Sequence, residues 1–147
     1  MTRAPKDSYH DLSAWKYFDG STGKWSSNRL YHPTPEQALQ WNEEEGAVWG
    51  VGQGQMIWSE YFQKIMFVYA QSWAGTDGKT AILARTADRP RGPWSAATTL
   101  FSVAPDQAGG LVYSPVPNPY FDESGKTLVV TVTNSPNTIQ AHKVTFA

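Results

Sequence analysis

The sequence predicts an all-β chain built from repeated antiparallel blades, and three observations carry that expectation. Two stretches 69 positions apart hold one signature: Asp19, Gly23, Trp25 and Ser26 in the first, Asp88, Gly92, Trp94 and Ser95 in the second. Each signature follows a strand-like run, 14–18 or 81–87, and precedes a short apolar stretch, so the repeating unit is a turn with its flanking strands. A hairpin plan also occurs twice, over 52–69 and 112–133. Helix signals are nearly absent, while aromatic residues make up 14% of the chain and its 12 Gly and 10 Pro fall mostly at predicted turns.

In chain order, a partial blade spans 9–32. A short helix is expected from Thr34 to Trp41, because Thr34 is a capping residue, Pro35 takes the first helical position and Gln37 stands three residues after the cap. It falls in a loop between blades. The next blade spans 48–101, with an inner strand from Gly52, a turn at Ser59 to Lys64, a wholly apolar strand from Ile65 to Ala70 and a third strand from Ala81. A further blade spans 111–146. It has a Pro-rich inner run from Val112, a turn at Asp122 to Lys126, and a strand in which Leu128, Val130 and Val132 share one face. Its third strand runs from Ile139 to Phe146. The whole of 1–147 then reads as about two and a half blades of a β-propeller, a fold that closes with roughly four to eight blades of four strands each.

Charge narrows the partners. A net charge of −1 leaves no basic stripe, so neither nucleic acid nor an anionic membrane is expected. No run approaches the roughly 18 to 20 apolar residues of a spanning helix, and Met1 to Lys6 lacks the apolar core of a signal peptide. There are no cysteines and hence no disulfides.

Nucleotide, metal and triad chemistry fail on context. Gly78-Lys79-Thr80 and Gly125-Lys126-Thr127 look like the end of a phosphate loop, but the required earlier glycine is Trp73 in one case and Tyr120 in the other. Both lead into strands, so hairpin turns explain them better. Gly50, Gly52 and Gly54 read as small residues that let inner strands crowd together. His10, His32 and His142 are isolated, so no metal and no cofactor are expected. No G-x-S-x-G elbow occurs.

Carboxylates are the remaining catalytic inventory. Asp19, Asp77, Asp88, Asp122 and Glu123 sit in Gly-bearing turns, where a short carboxylate bonds the local backbone. Glu43, Glu44 and Glu45 form a charge run after the short helix, a solvated loop from which Glu45 lies close enough to the next inner strand to reach a pocket rim. Glu60 sits in a hairpin turn.

Four segments, LSAWKYFDGSTGKW from Leu12, VGQGQMIWSEYFQKIMFVY from Val51, ARTADRPRGPWS from Ala84 and the run from Ser114 to Phe146, occur in an order that resembles a known family. They are similar to the C-terminal half of the fungal and bacterial five-bladed propellers grouped as domain of unknown function 4185, which look like glycoside hydrolases. The resemblance implies a sugar-processing or sugar-binding propeller, usually secreted, with its ligand at the axial end where inner strands converge. The chain departs from that pattern at Gln53, where the family's inner strand carries an acid; an amide cannot act as general acid or base at neutral pH. Hydrolysis generally needs two carboxylates about 5 to 10 Å apart, and with the N-terminal blades missing this chain holds at most part of such a pair.

Binding is therefore the leading expectation, with carbohydrate as the partner. Sugars are recognised by aromatic faces beside amide and hydroxyl groups, which Gln53, Gln55 and Trp58 supply on one inner strand and Tyr113, Ser114 and Asn118 on the next. Laying Ile65 on Leu128 sets Gln55 opposite Asn118. The competing expectation is that these polar groups satisfy neighbouring strands and that Trp49 and Trp58 pack between blades. Trp25 and Trp94 are assigned to packing between blades; Trp73 and Arg85 are placed near a loop face, with rim and ligand roles both open. Two alternatives stand beside glycan binding: a working glycosidase completed by other blades, and an interaction module whose open blade edges pair into a homo-oligomer.

Overall fold

A computed structural model describes residues 2–29, 51–71, 77–136 and 138–147. The expected helix at Thr34–Trp41 lies outside them, as do His32, Glu43 to Glu45, Trp49, Gly50 and Trp73. The described residues form three antiparallel sheets, and their helical content is three single 3₁₀ turns at Lys6–Ser8, Leu12–Ala14 and Pro119–Phe121. The chain divides into two compact units, 1–41 and 42–147.

The first unit holds the sheet β1 (Thr2–Arg3), β2 (Lys16–Asp19) and β3 (Lys24–Ser26). Residues 14 and 15, expected to begin the strand, instead close the 3₁₀ turn that Asp11 caps by accepting the Ser13 N–H at 2.8 Å. Asp19 accepts the Ser21 N–H at 2.9 Å and Gly23 takes φ +66°, a left-handed conformation that costs glycine little. This turn sets Trp25 against buried Phe18, ring centres 5.3 Å apart, with the Arg3 guanidinium 4.3 Å from the indole centre.

The second signature builds a related turn, closed by Gly92 N–H donating to Arg89 O at 2.9 Å where the first has Gly23 N–H donating to Asp19 O at 2.9 Å. Tyr17 pairs with Ser26 in the first unit; 69 residues on, Ser95 N–H donates to Thr86 O at 2.8 Å, and Gly92 is again left-handed at φ +81°. Trp94 is buried, whereas Trp25 is half-buried. Asp88 differs from Asp19: instead of bonding its own turn it pairs with Lys64 Nζ at 3.5 Å.

The second unit holds two sheets. One is ordered β4 (Val51–Ser59), β5 (Lys64–Gln71), β6 (Thr80–Ala87) and β7 (Thr98–Val103); the other runs β8 (Val112–Asn118), β9 (Thr127–Asn134) and β10 (Thr138–Thr145), paired consecutively. The expected hairpins are present. The fourth strand, β7, has no counterpart in the sequence reading: Thr98-Thr99-Leu100-Phe101-Ser102 neither alternates cleanly nor forms an apolar run.

Period-two alternation builds the core between these sheets. Met66, Val68 and Ala70 of β5 and Ile82 and Ala84 of β6 pack with Leu128, Val130 and Val132 of β9 and Val112 of β8. Each fully buried Val, Ile, Leu or Met contributes about 1.5–3 kcal/mol. The sheets stack with inner strand β4 against inner strand β8. At the outer edge, Phe101 of β7 stacks on His142 of β10 at 4.4 Å.

Candidate functional site

Two β-bulges shape the inner seam, one between Val51 and Gly54 and one between Tyr113 and Val116. The second leaves Ser114 at φ +50°, from where its hydroxyl donates to the Gln53 side-chain oxygen across the seam. The first presses Gly54 onto its own hairpin partner: a Cβ there would collide with Val68 O and lie 2.6 Å from Tyr69 Cβ. The glycine therefore serves close approach to β5 within one sheet, not crowding between inner strands.

Of the predicted ligand residues, the structure joins Gln53 with Ser114 and separates the others. Cross-strand partners share a face, so Gln55, opposite Val68, points to the core side of its sheet, whereas Trp58, opposite Ile65, points to the other. Tyr113, opposite Thr133, and Asn118, opposite Val129, lie on the side of their sheet away from Val130 and Val132. Asn118 commits its amide to Val116 O at 2.8 Å and Val129 O at 3.3 Å. The expected match of Gln55 with Asn118 does not hold either. With Leu128 laid on Ile65, Val68 matches Thr131 and Met66 matches Val129; their ladder partners make Gln55 the counterpart of Val116, and Asn118 that of Ile57. A longer connection between β8 and β9 causes the shift. Glu45 lies outside the described residues.

Arg85 is corrected outright. It is a strand residue, 3% exposed, on the face opposite Ile82 and Ala84, where its Nε donates to Tyr69 Oη at 2.9 Å and its Nη1 to Ser95 O at 3.0 Å. Tyr69 stacks on Phe67 at 5.0 Å, and Phe67 meets Trp94 at 6.1 Å.

The feature the sequence does not announce lies at the hairpin end of the seam. The β4–β5 turn abuts the connection from β8 to β9 so closely that a Cβ on Gly125 would lie 2.8 Å from Tyr61 N. Between them opens a cleft of ≈ 560 Å³, lined by Trp58, Glu60, Tyr120, Asp122 and Glu123 at its rim and by Met66, Leu128 and Phe146 among its apolar wall residues. Tyr120 is 89% exposed and Trp58 48% exposed. Tyr61 stacks on Phe146 at 5.7 Å and donates its hydroxyl to Ala147 O at 2.7 Å, fixing the wall.

The three carboxylates of the cleft differ in freedom. Asp122 accepts Ser124 N–H at 3.0 Å, Ser124 O–H at 2.7 Å and Thr127 N–H at 2.8 Å. These donors, the Ser124 hydroxyl foremost, hold its carboxyl below the ordinary range and keep it ionised. Glu60 accepts from Gln63 Nε2 at 3.0 Å, and Glu123 is exposed. Among the described residues no Lys, Arg or His lines the cleft. The arrangement offers hydrogen-bond acceptors beside exposed rings. A carboxylate held ionised, as Asp122 is, cannot supply the general acid of glycoside hydrolysis. No protein-family model matches the chain, and no curated protein is significantly similar to it.

Proposed function

We propose that the chain is a carbohydrate-directed portion of a β-propeller that binds glycan in the hairpin-end cleft rather than along the inner seam, without completing a catalytic pair itself. The observation that carries this reading is the cleft of ≈ 560 Å³, whose lining brings together exposed Tyr120, the carboxylates of Glu60 and Glu123, and apolar Met66 and Leu128. A pocket of a few hundred Å³ with an apolar wall and a few polar groups suits one or two sugar rings, whose C–H faces meet aromatic surface while their hydroxyls donate to carboxylates. The inner seam is less suited, because Gln53 and Ser114 satisfy each other. Calorimetric titration with a panel of oligosaccharides tests the reading. Saturable binding that Tyr120→Ala weakens at least several-fold supports it; a flat response across the panel overturns it.

A second reading is favoured by one observation. Among the described residues β10 is an edge strand whose sheet has three strands, although the corresponding edge of β6 is covered by β7, and Ile139 on β10 is 75% exposed. Such an edge invites pairing with a second copy. Sedimentation equilibrium tests it: a dimer broken by Ala141→Pro supports pairing through β10, and a monomer at all concentrations removes it.

A further inference from the structure

We infer that the cleft selects sugars carrying a free, protonated amino group, a β-linked glucosamine chain being the simplest example. The inference rests on the carbohydrate reading above and names the ligand class of that same site. It combines three features: a half-open cleft large enough for a ring, aromatic residues in its lining, and charge of one sign. The volume of ≈ 560 Å³ and the wall of Ile57, Met66, Leu128 and Phe146 suit the ring. Tyr120 is free to meet either a C–H face or an ammonium group, which an aromatic ring attracts through its negative face. Glu60, Asp122 and Glu123 come from two turns about sixty residues apart, and among the described residues no cationic side chain lines the space to neutralise them.

A neutral sugar would leave that charge uncompensated, and an acidic sugar would be repelled by it. An ammonium group attached to the ring answers both the aromatic and the carboxylate partners at once. Asp122 already has hydrogen-bond donors on both oxygens, so it acts as a fixed negative charge in the same lining as Glu60 and Glu123. Glu123 is exposed and accepts no hydrogen bond among the described residues, so it is the carboxylate most available to a ligand.

The test is calorimetric titration of the full chain with three hexasaccharides of like length, a β-1,4-glucosamine oligomer, its N-acetylated counterpart and a glucose oligomer, together with hexalysine. The pH is set where the amine is protonated. Exposed ion pairs are worth little singly, so the expected preference for the glucosamine oligomer over its acetylated form is about three- to tenfold. Raising the salt from about 0.01 M to 1 M shortens the screening length from about 30 Å to 3 Å and should erase most of that preference. Glu123→Gln should reduce it while leaving thermal unfolding unchanged. Equal or tighter binding of the acetylated or glucose oligomer overturns the inference and leaves the carbohydrate reading standing. Tighter binding of hexalysine overturns it in favour of peptide recognition. Silence from all three sugars removes the carbohydrate reading and this inference with it.

Discussion

The Ser114 hydroxyl donates to the Gln53 side-chain oxygen across the seam between the inner strands of two sheets, joining residues 61 positions apart. The bond is made possible by a bulge on each strand, and it ties β4 to β8 where the sheets have no backbone ladder between them. A neutral hydrogen bond at an exposed site contributes about 0.5–1.5 kcal/mol, so Ser114→Ala is expected to lose an amount at the lower end of that range. In chemical denaturation, Gln53→Ala on the Ser114→Ala background should cost less than it does alone; strict additivity would show that the bond carries no coupling.

Met56 and Met66 stand on different strands of one hairpin and differ in what surrounds them. Met66 is buried among Val68, Ala84 and Leu128, whereas Met56 is half-exposed on the other face. Met66→Ala should cost about 2–5 kcal/mol, the range for emptying a packed core position. Met56→Ala should cost well under half as much. Urea unfolding of the two variants checks the difference, and similar losses would mean that the core does not lie between the sheets as described.

Gly54 and Gly23 are both required, for different physical reasons. At Gly23 a Cβ meets no atom within 4 Å, but φ is +66°. At Gly54 a Cβ would collide with Val68 O and Tyr69 Cβ. Gly54→Ala must therefore push β4 off β5, with an expected cost of about 1–3 kcal/mol. Gly23→Ala carries a conformational cost of about 1–2 kcal/mol. Combining Gly54→Ala with Tyr69→Phe should bring no rescue, because the collision is with backbone and Cβ atoms that the substitution leaves in place. Recovery of stability in that double variant would refute this account.

Much of the fold was legible because it is local. The Asp-Gly-Trp-Ser turn is written twice in the sequence and folds twice, with the Tyr17–Ser26 pairing repeated at Thr86–Ser95. β9 alternates so regularly that its core face, Leu128, Val130 and Val132, can be read directly. What was not legible depends on lengths and long-range approach. The longer β8–β9 connection moves Asn118 away from the counterpart of Gln55, which no pattern within either strand reveals. β7 pairs along the edge of β6, and its residues, although strand-favouring in type, show neither the alternation nor the apolar run by which the other strands are read. The cleft exists only because the turns bearing Glu60 and Asp122 abut, so each acid reads in sequence as ordinary turn chemistry. For Asp122 that reading is also correct, since the same carboxylate closes its turn and faces the cleft.

The pH dependence of stability follows from Asp122. Its carboxylate accepts two bonds from Ser124 and one from Thr127, and these hold its pKa in the folded chain below the ordinary value. A carboxyl whose pKa is depressed on folding stabilises the fold while the pH lies above the unfolded value, about 3.9 for aspartate. That stabilisation is lost as the pH falls through the folded pKa. Asp122→Asn removes the charge and converts one acceptor oxygen to a donor facing backbone or hydroxyl donors, so the variant should be less stable at pH 7. Its loss of stability on acidification below about pH 4 should be shallower than that of the unaltered chain, so the two melting curves converge at low pH. Thermal melts of both proteins across pH 2 to 7 provide the check. A constant gap between them at all pH values would mean that the charge of Asp122, as distinct from its shape, contributes nothing.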